Sequence, residues 1–254
     1  MTRENQDKVA IITGGGSGLG RDITEAFCQA HYQVVITGRT EKTLVATVED
    51  FRDRYEAQIH YFVADGGEED RVQEVVAAIV DKLGRIDVLI NNAQAVNTGI
   101  ALEDQTLDDF RLAINSGLYG TFNYMKACFP LLKESKGTII NMGSGAGITG
   151  MAGFASYAAT KEAIRGLTRV AATEWSQYGI NTNAICPAVL TPAFEEWSKE
   201  HPEEYQAVLA SVPARQFPDG ATHVGGTCLY LASPAGKMIT GRTLDVDGGQ
   251  NQRP

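Results

Sequence analysis

The stretch Val9-Ala-Ile-Ile-Thr-Gly-Gly-Gly-Ser-Gly-Leu-Gly20 decides the fold. Its first half is apolar and β-branched, which predicts a buried strand. Its second half is rich in glycine, and a helical pattern follows from Leu19 to Ala30. Glycines here allow a tight turn and let backbone N–H groups approach a pyrophosphate, and the helix N-terminus adds partial positive charge. The spacing G-x-x-x-G-x-G, between a strand and a helix, predicts the first unit of a dinucleotide-binding sheet.

The rest of the chain repeats this alternation of strand and helix. Strands are predicted at Val9–Thr13, Gln33–Thr37, Ile59–Val63, Val88–Ile90, Thr138–Asn141, Asn181–Ile185 and Thr243–Val246. Helices are predicted at Leu19–Ala30, Lys42–Tyr55, Asp70–Leu83, Leu107–Leu132, Phe154–Tyr178 and Ala221–Leu231. The alternation predicts an α/β fold, a doubly wound parallel sheet of about seven strands with helices on both faces. No linker or repeat divides the chain, so residues 1–254 are predicted to form a single domain.

The segment 190–219 interrupts this rhythm. It contains four of the eight prolines and a helical stretch at Phe194–Leu209. An insertion near the carboxyl ends of strands often closes over a substrate, so we predict a lid within the domain. A surface excursion without function is the alternative.

The composition argues against several classes of binding partner. The formal charge of −9 and the lack of a Lys/Arg block argue against nucleic-acid binding. The polar start, Met1–Lys8, is unlike a signal peptide, and no apolar run reaches the length of a membrane span. The four cysteines are widely separated and form no metal or redox pair. We therefore expect a cytoplasmic protein with no metal site, no membrane partner and a small-molecule ligand.

The end of the second predicted strand bears on the choice of cofactor. An acidic residue there would bond both ribose hydroxyls of NAD, but the run is Thr37-Gly38-Arg39-Thr40. A guanidinium matches the geometry of a 2′-phosphate. Arg39 therefore predicts a preference for NADP(H), with NAD(H) also accepted if Arg39 only stacks on adenine.

Tyr157-Ala-Ala-Thr-Lys161, with Ser144 thirteen residues before the tyrosine, carries the candidate chemistry. Residues four apart share one face of a helix, so Tyr157 and Lys161 can meet. A nearby ammonium favours the phenolate and is expected to lower the tyrosine pKa, which would make Tyr157 a general acid/base. Ser144 would hold the oxygen whose proton moves.

Together these motifs resemble the short-chain dehydrogenase/reductase family over nearly the whole chain. The resemblance also includes Asp65, Asn91-Asn92-Ala93, Asn115, Asn183-Ala-Ile-Cys-Pro187 and Asp247-Gly248-Gly249. It implies a Rossmann-type fold and NAD(P)(H)-dependent hydride transfer between a carbonyl and a secondary alcohol. Tyr157, Lys161, Ser144 and Asn115 would be catalytic, with Asn115 holding a water that connects Lys161 to solvent.

The resemblance also implies binding residues. Those expected at the cofactor are Gly14, Gly16, Ser17, Gly18, Leu19, Gly20, Arg39, Thr40, Asp65, Gly66, Asn92, Ala93, Tyr157, Lys161, Pro187, Val189 and Thr191. The substrate candidates are Gln94, Ser144, Met151, Phe194 and Trp197. Met151 flanks the catalytic segment, and Phe194 and Trp197 lie in the predicted lid, so packing in the core or of the lid against the body is the alternative for these three.

Three positions depart from the family pattern. Gln94 and Ala188 stand where glycine is usual, and His31-Tyr32 replaces Gly-Ala at a helix-to-strand turn. We hypothesise that Gln94 shapes the pocket.

The sequence leaves the substrate open. A 3-oxoacyl thioester or a cyclic ketone, reduced with NADPH, is the leading prediction. An NAD-dependent sugar or polyol dehydrogenase is the alternative, followed by a dinucleotide sensor without catalysis. Family members commonly assemble as dimers or tetramers, so a homotetramer or homodimer is expected.

Overall fold

The computed structural model describes residues 5–190 and 192–251. Its strands are β1 (Val9–Thr13), β2 (Gln33–Gly38), β3 (Ile59–Val63), β4 (Val88–Asn91), β5 (Thr138–Met142), β6 (Asn181–Pro187) and β7 (Thr243–Val246). They form one sheet in the order β3-β2-β1-β4-β5-β6-β7, and every pair is parallel. The predicted doubly wound sheet of seven strands is confirmed.

Helices connect the strands. They are α1 (Gly18–Gln29), α2 (Glu41–Tyr55), α3 (Glu69–Leu83), α4 (Leu107–Ala113), α5 (Gly120–Ser135), α6 (Gly145–Thr149), α7 (Ala155–Trp175), α8 (Pro192–Glu200), α9 (Pro202–Ser211) and α10 (Gly226–Ala232). Two π-helical turns, Ile114–Tyr119 and Gly220–Gly225, precede α5 and α10. Short 3₁₀ turns lie at Leu102–Asp104, Ser176–Tyr178 and Pro234–Gly236.

Two apolar clusters cover the two faces of the sheet. Side chains alternate along β1, so that Ala10 and Ile12 belong to one cluster and Val9 and Ile11 to the other. Helices α1, α2 and α10 pack on the first face, and α3, α5 and α7 pack on the second. Because both faces are covered, β1 and β4 consist mainly of apolar residues, as expected for a parallel sheet.

Three predicted helices are not continuous α-helices, and the one predicted at 221–231 begins with the π-helical turn Gly220–Gly225. The helix predicted at 107–132 contains the π-helical turn Ile114–Tyr119, and the stretch predicted at 194–209 is two helices that meet at Pro202. Proline begins α9 because the first residues of a helix need no N–H donor. The predicted difference at the turn after α1 is present, since His31 has a φ of 62° and the buried Tyr32 ring packs on Phe27 with centroids 4.9 Å apart.

Several properties of the described residues bear on the expected partners. All four cysteines are buried, and none of them forms a disulfide. Within residues 5–190 and 192–251, no helix is long and apolar enough to cross a bilayer. The same part of the chain holds no group of three metal-ligating side chains.

Candidate functional site

A cleft of about 450 Å³ opens at the carboxyl ends of the central strands. It lies where the strand order reverses between β1 and β4, the usual ligand position in an open α/β sheet. Of the residues predicted to bind cofactor, it is lined by Gly14, Gly16, Ser17, Leu19, Gly20, Arg39, Thr40, Asp65, Gly66, Asn92, Ala93, Tyr157, Lys161 and Pro187. The fold thus brings these distant positions to one cleft.

The glycine-rich turn is held against the loop that follows β4. Gly14 has a φ of +67°, in the region that favours glycine. A Cβ on Gly20 would overlap the Gly14 carbonyl oxygen and lie 2.5 Å from Asn92 Nδ2. Thr13 Oγ1 accepts hydrogen bonds from the backbone N–H groups of Asn92 and Ala93, each 3.0 Å long. These contacts leave no room for a side chain at Gly20.

The N-terminus of α1 fits the pyrophosphate of a dinucleotide. The helix begins directly after the turn, and the side chain of Ser17 at its N-cap makes no capping bond. The first N–H groups of a helix have no partner within the helix, and they attract an anion. The site therefore offers backbone donors and a positive dipole end, as a nicotinamide dinucleotide requires.

Arg39 lies at the adenosine end of the cleft. Its side chain is 57% exposed, and Nη1 is 3.8 Å from Asp65 Oδ2. Thr40 and Thr43 line the cleft beside it. The cluster combines a guanidinium with two hydroxyls, and such a set can bind a phosphate.

Ser144, Tyr157 and Lys161 converge at the other end. Ser144 caps α6, and its Oγ accepts a 3.1 Å hydrogen bond from Ala146 N. Tyr157 lies in the first turn of α7 and Lys161 one turn later, with Nζ 5.4 Å from the centroid of the phenol ring. Lys161 Nζ donates a 2.8 Å hydrogen bond to the carbonyl oxygen of Met142.

Buried polar side chains fix α7 on the sheet. Asn91 Nδ2 donates to Asn141 Oδ1 over 2.8 Å, and Asn141 Nδ2 donates to Thr168 Oγ1 over 2.9 Å. All three residues are buried, so these bonds are protected from water. These hydrogen bonds join β4, β5 and α7, and they hold the helix that carries Tyr157 in a defined position.

Burial is the largest effect on the pKa values of Tyr157 and Lys161. It raises the pKa of Tyr157, although a hydrogen bond with Ser144 acts in the opposite direction. It lowers the pKa of Lys161 to about 8. The expected lowering of the Tyr157 pKa by Lys161 is therefore wrong for this structure, because desolvation of the phenolate is the larger effect.

Of the predicted catalytic residues, Tyr157 and Lys161 line the cleft and Ser144 is hydrogen-bonded to Tyr157, whereas Asn115 is not in the cleft wall. It lies in the π-helical turn and is exposed, and its carbonyl oxygen would be 3.0 Å from a Cβ on Gly67. Its neighbour Ser116 lines the cleft instead. A π-helical turn shifts the register of the helix, so the residue that faces the cleft differs from that of a regular helix.

The structure does not bring all the predicted substrate residues to the cleft. Gln94 lines the cleft, but Met151 does not and is 51% exposed. Trp197 stacks on His201, with ring centroids 5.2 Å apart. The side chain of Phe194 and all of Thr191 lie outside the described residues.

Two predicted cofactor residues are not in the cleft wall, and the sequence missed others that are. Val189 packs against an apolar cluster, and Gly18 begins α1 beside the cleft. The missed lining residues include Thr13, Thr43, Val96, Ser116 and Thr121. Thr13 could have been found because its hydroxyl stands at the end of the first strand, but the others carry no motif.

Comparison with known proteins identifies the family. Residues 14–251 match the family model described as enoyl-(acyl carrier protein) reductase, which represents short-chain dehydrogenases/reductases. The chain is 46% identical over 253 residues to a 12alpha-hydroxysteroid dehydrogenase of a Clostridium species, covering 97% of this chain and 98% of the relative. It is 33% identical over 251 residues to a Staphylococcus aureus 3-oxoacyl-(acyl-carrier-protein) reductase, covering 95% and 97%.

Comparison with solved structures supports the same family. A structure described as ElxO with NADP bound has a TM-score of 0.88 and 30% identity, and the match covers 96% of this chain and 98% of that one. The matches span nearly the full length of both partners, and the named relatives are a dehydrogenase, a reductase and a protein solved with NADP bound. The chain is therefore an NAD(P)-dependent oxidoreductase, and it belongs to the short-chain dehydrogenase/reductase family.

Proposed function

We propose that this protein interconverts a 12α-hydroxysteroid and the corresponding 12-oxosteroid, with NADP(H) as its cofactor. The observation that carries the proposal is the 46% identity, over 97% of the chain, to a 12alpha-hydroxysteroid dehydrogenase. A steroid ketone is a cyclic ketone, one of the two substrate classes predicted from the sequence. The oxidoreductase chemistry is common to the family, and the proposal adds that the substrate is a steroid.

The surroundings of Tyr157 suit an apolar alicyclic substrate. The Phe154 ring lies at a steep angle to the phenol ring, with centroids 6.1 Å apart. Val96 lines the cleft, and the partly exposed Met151 lies in the loop before Phe154. Gly99 N donates a hydrogen bond to Gly153 O, which joins the two loops that carry these apolar groups.

The catalytic roles follow from the geometry and the protonation states. A bound nicotinamide cofactor supplies or accepts the hydride at the substrate carbon. Tyr157, whose pKa is raised, holds a proton at neutral pH and can donate it to the carbonyl oxygen during reduction. Ser144 orients the same oxygen by hydrogen bonding. Lys161, whose Nζ lies 5.4 Å from the centroid of the phenol ring, would hold the cofactor ribose.

The cofactor preference is supported by Arg39. Its guanidinium is exposed at the end of β2, beside Thr40 and Thr43 in the cleft wall. Asp65 contacts the guanidinium at 3.8 Å and can hold its planar face toward the cleft. A 2′-phosphate would gain charge-assisted hydrogen bonds here that a 2′-hydroxyl would not.

The test is a coupled assay of purified protein. We expect NADPH oxidation with a 12-oxosteroid, and NADP⁺ reduction with the 12α-alcohol but not with the 12β-alcohol. Tyr157→Phe should abolish both reactions. Steroids oxidised only at C3 or C7 serve as matched controls, and equal turnover of these compounds would contradict the assignment to position 12.

A second candidate is the reduction of a 3-oxoacyl thioester. The 33% identity to the Staphylococcus aureus reductase favours it. The same assay with acetoacetyl thioesters distinguishes the two, and a kcat/KM for the thioester above that for the steroid would establish the second function. Sugars with NAD⁺ complete the panel, because a sugar dehydrogenase was the alternative from the sequence.

We infer that the protein forms a homodimer or homotetramer. Large apolar side chains are exposed along α4, α5 and α7, including Leu107 at 73%, Phe122 at 45% and Val170 at 53%. Exposed apolar residues on neighbouring helices support contact between copies. Light scattering that gives a mass near 27.3 kDa at micromolar concentration would contradict this inference.

A further inference from the structure

Helix α7, which carries Tyr157 and Lys161, has no cap of its own. Its N-cap residue is Phe154, with φ −121° and ψ 25°, and the side chain of this residue makes no capping bond. The first N–H groups of a helix lack acceptors within the helix and need one from elsewhere. Ser156 in the first turn is 0% exposed, so bulk water does not supply that acceptor. Another part of the chain must supply it.

Gln105 provides the acceptor. Ser156 N donates a 3.0 Å hydrogen bond to Gln105 Oε1, across a separation of 51 residues. Gln105 lies between β4 and α4, and Ser156 directly precedes Tyr157 on α7. A cap usually comes from the residue just before the helix. Here it comes from a distant segment, so it also ties the first turn of α7 to that segment.

The backbone on both sides of Gln105 is held in place. Gln105 N donates to Ala101 O over 3.1 Å. The next residue, Thr106, forms a capping box with Asp109, and Thr106 N donates a 2.8 Å bond to Asp109 Oδ2. Asn97 Nδ2 donates to the other carboxylate oxygen, Oδ1, over 2.7 Å. We call residues 97–106 the bracing loop. Both of its ends are bonded to Asp109, so its glutamine starts from a fixed position.

The bracing loop contacts the start of α7 at a second point. Gly99 N donates to Gly153 O over 2.8 Å. A Cβ on Gly153 would lie 3.1 Å from Gly99 Cα, so the two backbones approach closely. Phe154 lies between the two contact points in the sequence, and its ring centroid is 6.1 Å from that of Tyr157. The loop therefore holds the chain on the N-terminal side of Tyr157 at two places.

The bond between Gln105 and Ser156 is not an arrangement that maximises stability. Gln105 Nε2 and Ser156 Oγ are closed to solvent, and neither has a hydrogen-bond partner within residues 5–190 and 192–251. Unsatisfied buried groups cost free energy, whereas an apolar pair of the same size would not. The bond to Ser156 N offsets only part of this cost. We therefore expect the carboxamide to matter more for the position of Tyr157 than for the folding of the chain.

We propose that Gln105 is a positioning residue for Tyr157: its carboxamide oxygen caps α7 from the bracing loop and fixes the helical turn that carries the phenol. The proposal rests on the role of Tyr157 as proton donor in the proposed function. The phenol must meet the substrate oxygen at hydrogen-bond distance, and a displacement of about 1 Å can lower a rate by on the order of 100-fold. Without the cap, the first turn of α7 frays and the phenol loses its defined direction.

The first test removes the acceptor but keeps the length of the side chain. In Gln105→Met we expect kcat for carbonyl reduction to fall by roughly tenfold or more, measured with the carbonyl compound that the protein reduces fastest. KM for NADPH should change little, because Arg39 and the turn before α1 lie elsewhere in the cleft wall. Gln105→Glu keeps an acceptor oxygen at the same distance from the backbone and should retain most of the wild-type kcat.

The matched control is Gln33→Met, at the start of β2. Gln33 Nε2 donates a 3.1 Å hydrogen bond to Gln6 O, so the same substitution again removes a bond between a glutamine side chain and the backbone. Gln33 lies at the end of its strand that is opposite to the cleft, so kcat should stay at the wild-type value. Thermal unfolding should show a fall in Tm of no more than about 4 °C in either variant.

Hydrogen exchange tests the cap without a substrate. In the protein without cofactor, backbone amides in the first turn of α7 should exchange faster in Gln105→Met than in wild type. They should exchange at the wild-type rate in Gln105→Glu and in Gln33→Met. Mass spectrometry of peptides that cover residues 154–160 measures these rates, and peptides from the rest of α7 should be unchanged.

Four results would overturn the proposal. The first is a wild-type kcat in Gln105→Met. The second is an equal loss of kcat in Gln105→Met and Gln105→Glu, which would mean that packing matters rather than the acceptor. The third is a rise in KM for the carbonyl compound alone, which would make Gln105 a substrate contact. The fourth is faster exchange over the whole chain, which would mean a general loss of structure.

The proposed substrate and the proposed cap can fail separately. If the compound that is reduced fastest is not a steroid, the substrate assignment is wrong, and the comparison of Gln105→Met with Gln105→Glu still tests the cap. If 12-oxosteroids are reduced but Gln105→Met has the wild-type kcat and exchange rates, the cap is wrong and the substrate assignment stands.

Discussion

Lys161 and Met142 are joined by a 2.8 Å hydrogen bond from the buried ammonium to the carbonyl oxygen at the end of β5. The bond ties α7 to the sheet and sets Nζ behind the ring of Tyr157. A single neutral acceptor compensates only part of the cost of desolvating a charge. The lysine is therefore placed for function at the expense of stability.

Replacing this lysine should stabilise the fold. Burial lowers the Lys161 pKa from 10.5 to about 8, so the folded protein binds the proton less tightly than the unfolded chain. The penalty is complete below pH 8 and is relieved as the pH rises from about 8 toward 10.5. We expect Lys161→Met to raise unfolding stability at pH 7, by on the order of a few kcal/mol, and to lose activity.

Denaturant unfolding at pH 7 and pH 10 measures this effect. The advantage of the variant should shrink at the higher pH, because the wild-type lysine is then largely neutral in the folded state. The exposed Lys42→Met is the control and should show little change at either pH. A Lys161→Met protein less stable than wild type at pH 7 would contradict the prediction.

The raised pKa of Tyr157 predicts opposite pH dependences for the two reaction directions. Reduction needs the protonated phenol, which predominates at neutral pH and remains so well into the alkaline range because burial disfavours the phenolate. Oxidation needs a base, so its rate should rise with pH until the phenol ionises. Initial rates between pH 6 and pH 10 test this, and an oxidation rate that falls above pH 8 would be the opposite result.

The choice of cofactor should depend on Arg39. Removing its guanidinium removes the charge-assisted contact with a 2′-phosphate, so Arg39→Ala should raise KM for NADPH by roughly 10- to 100-fold. KM for NADH should change little, since a 2′-hydroxyl gains less from the guanidinium. Steady-state kinetics with both cofactors measure the ratio, and the exposed Arg169→Ala controls for a general loss of positive charge. Equal effects on NADPH and NADH would contradict the prediction.

The sequence predicted the sheet well because its signals are local. Val9–Thr13, Ile59–Val63 and Thr243–Val246 were predicted with their observed bounds. Each is a short run rich in β-branched or aromatic residues, which is typical of a strand even at the partly buried edges of the sheet, where β3 and β7 lie. The glycine-rich turn and the Tyr157–Lys161 spacing are equally local, and the structure places both in one cleft.

The site depends also on information that no local pattern contains. The π-helical turn Ile114–Tyr119 interrupts an otherwise regular helical pattern, so the outward placement of Asn115 could not be read from the sequence. The desolvation of Tyr157 depends on groups brought together from several elements, and spacing alone indicated the opposite pKa shift. Gln94 was recognised as a departure, but its contact with Gly117 requires the tertiary fold.

The glycine-rich turn should reject even one added methyl group. A Cβ on Gly20 would overlap the Gly14 carbonyl oxygen and lie 2.5 Å from Asn92 Nδ2. Asn92 is held by hydrogen bonds to Thr13, and Gly14 N donates a 2.7 Å hydrogen bond to Thr37 O. Backbone cannot move aside as a flexible side chain can. We therefore expect Gly20→Ala to destabilise the fold by about 3 kcal/mol and to weaken NADPH binding.

The matched substitution is Gly226→Ala, at the start of α10. A Cβ there meets nothing within 4 Å, and the residue is helical. Alanine costs less conformational entropy than glycine in a helix, so this variant should gain about 0.5–1 kcal/mol. Thermal unfolding should give a lower Tm for Gly20→Ala and a slightly higher one for Gly226→Ala. A Gly20→Ala protein with wild-type Tm and NADPH affinity would mean that the turn adjusts to a side chain, and that tight packing does not form the phosphate cradle.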